Sequence, residues 1–146
     1  MFAPKSILVP TDFSIYSDNA LKKAVDIAAQ HKSKIYLLHV LEEIVQSSVY
    51  HALDAAVVAQ AEKQSMKFAE ERLQKEAQDI GSSKGLEVVY DVQKGDAAET
   101  ILKEQEDKGI DLIVIASHGK KGILHRLGSV SGRVLKGAKC PVLLEK

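Results

Sequence analysis

Short apolar runs separated by segments of helical period constrain this chain more than any other feature. Residues 6–10, 34–40, 86–92, 111–117 and 140–144 each read as a strand. The fourth contains the unbroken apolar run Leu112–Ala116, the pattern of a strand covered on both faces. Between the first two strands, residues 14–31 set Ala20, Leu21, Ala24, Val25 and Ala28 on one helical face and Lys22, Lys23 and Asp26 on the other. Ser14 and Ser17 are both candidate caps for that helix. Met66, Ala69, Leu73, Ala77 and Ile80 form a second amphipathic stripe, which the Gly81 to Gly85 segment should end. Asp96 with Glu99 has the pattern of a capping box and opens a helix to about Lys108, and residues 129–137 read as the last helix. Residues 48–61, rich in alanine and valine, read as a flexible entry, a helical entry, a lid or a partner surface.

Strand and helix therefore alternate from end to end, with connections long enough for parallel pairing. The expected fold is α/β, one domain over residues 1–146. It is a doubly wound, five-stranded parallel sheet with helices on both faces. A domain of this length buries roughly 68–70% of the surface of its unfolded chain, so it needs no disulfide or metal staple. Lys and Arg number 20 and so do Asp and Glu, which gives no global charge to steer nucleic acid or membrane. Tryptophan is absent and aromatics make up 5% of the chain, which disfavours a stacking platform for single strands. Cys140 stands alone, so no internal disulfide can form, and the apolar runs are too short for a leader or a membrane span. The expected compartment is the cytoplasm.

In doubly wound sheets, ligands sit outside the carboxyl ends of the strands, where the strand order reverses. Pro10-Thr11-Asp12, Val40 and Ala116 to Gly119 all fall at such ends. The fourth strand runs into the turn Ala116-Ser117-His118-Gly119, and Gly128-Ser129-Val130-Ser131 then opens a helix. A glycine turn admits a ligand close to backbone, and a helix start presents unpaired N–H groups and the positive end of its dipole to an anion. Ser129 is read as the capping hydroxyl beside those amides. Asp12 either holds a ribose or caps the following helix. His118 shapes the loop or meets a phosphate, since no serine–histidine–acid arrangement surrounds it. His39 reads as a satisfied, half-buried strand residue. His31, His51 and His125 lack metal-ligand spacing with one another or with Cys140, which reads as a packed thiol. A Gly-x-Ser-x-Gly elbow, a Gly-Lys-Ser/Thr phosphate loop and the paired acids of a phospho-receiver are all missing.

Taken together, these residues resemble the universal stress protein family over essentially the whole chain. The carriers are Ile-Leu-Val-Pro-Thr-Asp-Phe-Ser at 7–14, Leu-Leu-His-Val at 37–40, and Gly95-Asp96. To these add Ser117-His118-Gly119, Gly128-Ser129-Val130, and the closing Cys140-Pro141-Val142-Leu143. The resemblance implies strand order 3-2-1-4-5 and a homodimer formed through the last strand. It also implies an adenine nucleotide as ligand: ATP, or AMP or ADP, with Mg or Mn only as companion to the triphosphate. Members that bind ATP share a Gly-x2-Gly-x9-Gly-Ser/Thr pattern. Here Ala116 stands at the first glycine, and the stretch between Gly119 and Gly128 is one residue shorter. Carried over by position, Asp12 accepts from the ribose hydroxyls and Pro10 and Thr11 line the sugar. Val40 meets the adenine edge, and Gly119, Gly128, Ser129 and Val130 surround the phosphates, with Ala116, His118 and Ser131 beside them. The implied role is a small nucleotide-binding regulator of stress responses, with at most slow ATP hydrolysis or autophosphorylation. The alternative is a member that holds no nucleotide and acts as a dimeric protein-interaction module. Neither reading involves nucleic acid or membrane.

Overall fold

The computed structural model describes residues 1–42, 54–119 and 128–146. Along the chain these form β1 (Ser6–Pro10), α1 (Ile15–His31), β2 (Lys34–Leu41), α2 (Ala55–Lys84), β3 (Val88–Lys94), α3 (Ala97–Asp107), β4 (Leu112–Ala116), α4 (Ser129–Gly137) and β5 (Val142–Glu145). The strands make one sheet in the order β3-β2-β1-β4-β5, and every neighbouring pair is parallel. All carboxyl ends therefore share one edge of the sheet, with β1 at its centre between β2 and β4.

Side chains alternate between the two faces of a strand, and the core divides accordingly. Ile7 and Val9 of β1, Ile35 and Leu37 of β2, and Leu112, Val114 and Ala116 of β4 pack with Ala20, Ala24 and Ala28 of α1 and Leu73 of α2. The intervening residues Leu8, Leu38, Ile113 and Ile115 pack with Ala98 and Ile101 of α3 and Val134 of α4. Helices α1 and α2 thus cover one face, and α3 and α4 cover the other. Among the described residues no helix is long and apolar enough to cross a membrane.

The helix ends show how local chemistry sets the boundaries. Ser14 caps α1 by accepting from the Ser17 amide, whereas Ser17 is not a cap but is buried in the first turn. Asp96 caps α3 by accepting from the Glu99 amide. Helix α2 ends within the expected Gly81 to Gly85 segment: it runs to Lys84, and Gly85 takes the left-handed conformation at φ 67° that glycine adopts without strain. β3 and β5 each start two residues later than the expected 86 and 140. The alanine-rich entry resolves as helix from Ala55, while residues 48–53 lie outside the described residues.

Helix α2 is 30 residues long, yet its buried residues are only Ala69, Leu73 and Ala77, all in its second half. Beside them Glu76 faces α1 with its Oε2 buried and without a hydrogen-bond partner. Burial, and then the nearby Asp18 carboxylate, push the Glu76 carboxyl above its ordinary range, against the opposing pull of Arg72. A carboxyl whose folded pKa is raised supports the fold fully at low pH and loses that support as pH rises through the folded value. Glu76→Gln is therefore expected to stabilise the protein at neutral pH by about 0.5–1 kcal/mol, the scale of one buried polar group relieved. The gain should fade as pH falls through the raised pKa, which paired urea titrations of the two proteins at several pH values would read.

Candidate functional site at the carboxyl ends of β1 and β4

The turn after β1 is built by a short relay of hydroxyls. The buried Thr11 hydroxyl lies 2.9 Å from Ser17 Oγ, which lies 3.1 Å from Asp12 Oδ1. Asp12 Oδ1 and the Ser14 carbonyl, 3.0 Å from Ser17 Oγ, both only accept, so the Ser17 hydroxyl donates between these two and accepts from Thr11. Thr11 Oγ1 accepts from the Phe13 amide at 3.0 Å, and Asp12 Oδ1 accepts from the Ser14 amide at 3.0 Å. Asp12 thus closes an Asx-type turn onto the start of α1 while Ser14 takes the cap itself. Phe13 holds the left-handed backbone conformation at φ 64°, which is costly for a residue with a bulky side chain. Its ring is pinned on its neighbours: it stacks on His39 with centroids 4.4 Å apart, and the Arg72 guanidinium sits 4.6 Å from its centroid. His39 Nδ1 lies 2.7 Å from the Thr11 carbonyl oxygen and must carry the proton there. The half-buried, satisfied strand histidine expected at 39 is what the fold contains.

The second arm begins where β4 ends. Gly119 comes so close to the first turn that a Cβ built on it would lie 2.9 Å from Asp12 Oδ2. Asp12 therefore bonds the α1 turn through one oxygen and faces the β4 turn with the other. Gly128 donates to the Ser117 carbonyl at 2.8 Å, which docks the amino end of α4 against the end of β4. A Cβ at Gly128 would sit 3.1 Å from that carbonyl oxygen and 3.2 Å from Ser131 Oγ. His118 Nδ1 lies 2.9 Å from Ser117 Oγ, its ring lies 6.0 Å from that of Tyr16, and its Nε2 is buried with no hydrogen-bond partner.

One expectation changes. Ser129 is not the capping hydroxyl of α4: the N-cap is Gly128, without a side-chain bond, and Ser129 is the first helical residue, exposed to solvent. The hydroxyl that folds back is that of Ser131, 3% exposed, which lies 3.2 Å from the Ser117 carbonyl and 3.1 Å from that of Gly128. A helical side chain leans back over the preceding turn, so residue 131 reaches the groups at 128 whereas 129 points away. Ala116 also behaves differently from the glycine it replaces. By strand alternation its methyl packs in the α1 and α2 side of the core, 8% exposed, and occupies no space on the α4 side.

The remaining members fall into place by the same alternation. Pro10 is buried at the end of β1. Val40 and Val130 both pack against the cluster beneath α3 and α4, so the strand residue assigned to the base and the helix start assigned to the phosphates share one face of the sheet. Lys120 and the other residues up to 127 lie outside the described residues. Among the described residues no group of three His, Cys, Asp or Glu is arranged to hold a metal ion. Cys140 is half-buried and burial raises its thiol pKa, which keeps it protonated and unreactive. Sequence reasoning read Ser14 and Ser17 only as caps and missed that the Ser14 amide and the Ser17 hydroxyl orient Asp12. Their signal is the run Thr11-Asp12-Phe13-Ser14, with Ser17 three residues on: an Asx turn followed by a serine cap.

The architecture is that of a doubly wound α/β protein with chemically equipped loops at the carboxyl edge of a parallel sheet. The universal stress protein family model matches residues 4–146, and the chain belongs to that family. Universal stress protein A homolog 2 of Coxiella burnetii is 35% identical over 140 residues, 95% of this chain and 92% of that protein. Universal stress protein MJ0577 of Methanocaldococcus jannaschii is 33% identical over 158 residues, 97% of this chain and 94% of its own length. A solved structure of MJ0577 superposes with a TM-score of 0.79, covering 99% of this chain and 97% of that one. A universal stress protein solved in complex with cAMP is 26% identical, with a TM-score of 0.72 and 99% of each chain covered.

Proposed function

We propose that this chain binds an adenine nucleotide between the ends of β1 and β4 and serves as a homodimeric stress-response regulator in the cytoplasm. ATP is the ligand of choice, with AMP and ADP as smaller alternatives. The observation that carries this reading is the approach of Asp12 Oδ2 to Gly119 beside the amino end of α4. It sets an acceptor suited to ribose hydroxyls next to helix amides that have no partner within the helix. Two features fit the ligand. A side chain at 119 would crowd Asp12 Oδ2 and one at 128 would press on the Ser117 carbonyl and Ser131, so glycine at both keeps the approach open, and the buried His118 Nε2 lacks a partner that a phosphate oxygen would supply. The cAMP complex of a relative supports the same ligand class.

In this reading Asp12 holds the ribose, Pro10 and Thr11 form the wall beneath it, and the backbone of Val40 meets the base. The amides at Gly119, Ser129 and Val130 face the phosphates with His118, while Gly128, whose amide donates to the Ser117 carbonyl, shapes the turn from inside with Ala116 and Ser131. Mg or Mn would arrive with the triphosphate. The dimer would form along β5, an edge strand whose Val142, Leu143 and Leu144 are only half-buried; unpaired edges of this kind favour pairing.

Melting curves with and without Mg-ATP test the reading. A ligand that binds the native state raises stability by mass action, about 2.7 kcal/mol at a hundredfold excess over Kd. Gly128→Val should remove the shift. It should also lower the basal stability by about 1–3 kcal/mol, because its side chain presses on the Ser117 carbonyl and Ser131. A shift that survives in Gly128→Val misplaces the site. A wild-type protein indifferent to millimolar nucleotide selects the interaction-module reading instead, and a monomer by light scattering removes the dimer.

A further inference from the structure

A groove of about 400 Å³ opens between the carboxyl end of β2 and the amino-terminal half of α2. Phe13, His39 and Leu41 line it from the sheet side, and Gln64, Ser65 and Phe68 from the helix. We propose that this groove is a second ligand site, taking a planar aromatic anion such as an aromatic carboxylate or sulfonate. It is distinct from the nucleotide site because β2 alternates. Val40 points to the α3 and α4 side, so His39 and Leu41, one residue to either side, point to the α1 and α2 side.

Size, surface and charge each favour that ligand class. Small-molecule sites are mostly apolar clefts of roughly 300–1,000 Å³ with a few polar groups on the rim, and this groove has that volume and lining. Its walls are aromatic: the Phe13 ring is stacked on His39, and Phe68 stands 61% exposed at the edge. A second planar ring gains offset stacking on such walls. Helix α2 contributes no fully buried residue before Ala69, and its Glu62 pairs with Lys94 of β3 at 2.7 Å, so this half of the helix is held beside the sheet with an open apolar cleft beneath it. The charge comes from Arg72, one turn beyond Phe68 on the same side of α2. Its guanidinium lies over the Phe13 ring, its side chain is 38% exposed, and its ion pair with Glu76 is long at 3.9 Å. An anionic substituent on a ring in the groove would meet that cation, while Gln64 and Ser65 offer an amide and a hydroxyl.

The test is a fluorescence titration of the whole protein with 8-anilinonaphthalene-1-sulfonate, beside its uncharged analogue N-phenyl-1-naphthylamine. Saturable binding of one dye per chain is expected. Phe68→Glu should weaken the sulfonate roughly tenfold or more, the loss of one aromatic wall. Arg72→Gln should weaken it roughly two- to fivefold while leaving the uncharged analogue unaffected, as an exposed cation–π partner would. Gln64→Glu, an exposed isosteric change, should weaken the sulfonate in the same direction and keeps the proposal testable where Phe68→Glu fails to fold. Saturating Mg-ATP should leave the dye affinity unchanged; displacement by ATP puts the dye in the nucleotide site and overturns the proposal. It is equally overturned by the absence of one-to-one binding, by indifference to these substitutions, or by a signal that falls with protein concentration, which would make the groove a contact between two copies. A protein that ignored ATP but bound the dye in this pattern would fail the nucleotide reading and keep this one.

Discussion

Asp12→Ala is expected to abolish most of the stabilisation that Mg-ATP confers. The carboxylate spends Oδ1 on the Ser14 amide and the Ser17 hydroxyl and turns Oδ2 toward Gly119, where the ribose of a nucleotide would lie. Hydrogen bonds to a charged group contribute about 1.5–3 kcal/mol each. Losing one would weaken affinity tenfold or more, at about 1.4 kcal/mol per factor of ten. Alanine also removes both Oδ1 bonds that hold the turn onto α1, so the protein without ligand should lose about 1.5–3 kcal/mol or more, the scale of one or two bonds to a charged group. Asp12→Asn separates the two effects. Its amide oxygen can still accept from Ser14 and hold the turn, while the charge that strengthens ribose binding is gone. Calorimetric titration with Mg-ATP and a melting curve without it measure the two losses independently. Full ATP affinity in Asp12→Ala would refute the assignment.

The largest effect on stability is expected at Leu73. It is fully buried between α2 and the sheet, and its companions along that helix, Ala69 and Ala77, are small. Leu73 is therefore the one large apolar side chain of this 30-residue helix that is fully buried, with Ile80 packed half-buried against the same core. Truncating a buried leucine costs about 2–5 kcal/mol through lost transfer energy and the cavity left behind. For a chain near this size that lowers the melting temperature by roughly 2–4 °C per kcal/mol. Phe68 provides the contrast. It is larger and just over one turn away, but 61% exposed, so Phe68→Ser should change stability by less than about 0.5 kcal/mol. Urea titrations of both variants measure the difference, and hydrogen exchange should show α2 loosened selectively in Leu73→Ala. Equal effects at the two positions would mean that Leu73 is not the anchor of α2.

Much of the fold was legible along the chain because its signals are periodic. Alternation in β1, β2 and β4 and the 3.6-residue stripes of α1 and α2 follow from geometry that each segment carries within itself. Capping chemistry is equally local, which is why Ser14 and Asp96 were readable as helix starts. Boundaries were less legible where local preference was overruled. The third strand reads from residue 86, but β3 begins at Val88 because pairing with β2 starts there, at Ile35 opposite Val88.

The site divides along the same line. The sequence by itself determined that Pro10, Asp12, Val40, Ala116 and Gly128 all stand at carboxyl ends of strands or at a helix start, since these are facts of order along the chain. Tertiary structure alone decided which atoms meet. Asp12 and Gly119 are far apart in sequence and come together because β1 and β4 pair as neighbours. The hydroxyl that ties the start of α4 to the end of β4 is that of Ser131, which donates to the Ser117 and Gly128 carbonyls, and the Ala116 methyl packs in the core on the α1 and α2 side. Side-chain direction depends on the three-dimensional path of the backbone and on what packs against it, and a list of residues does not contain that path.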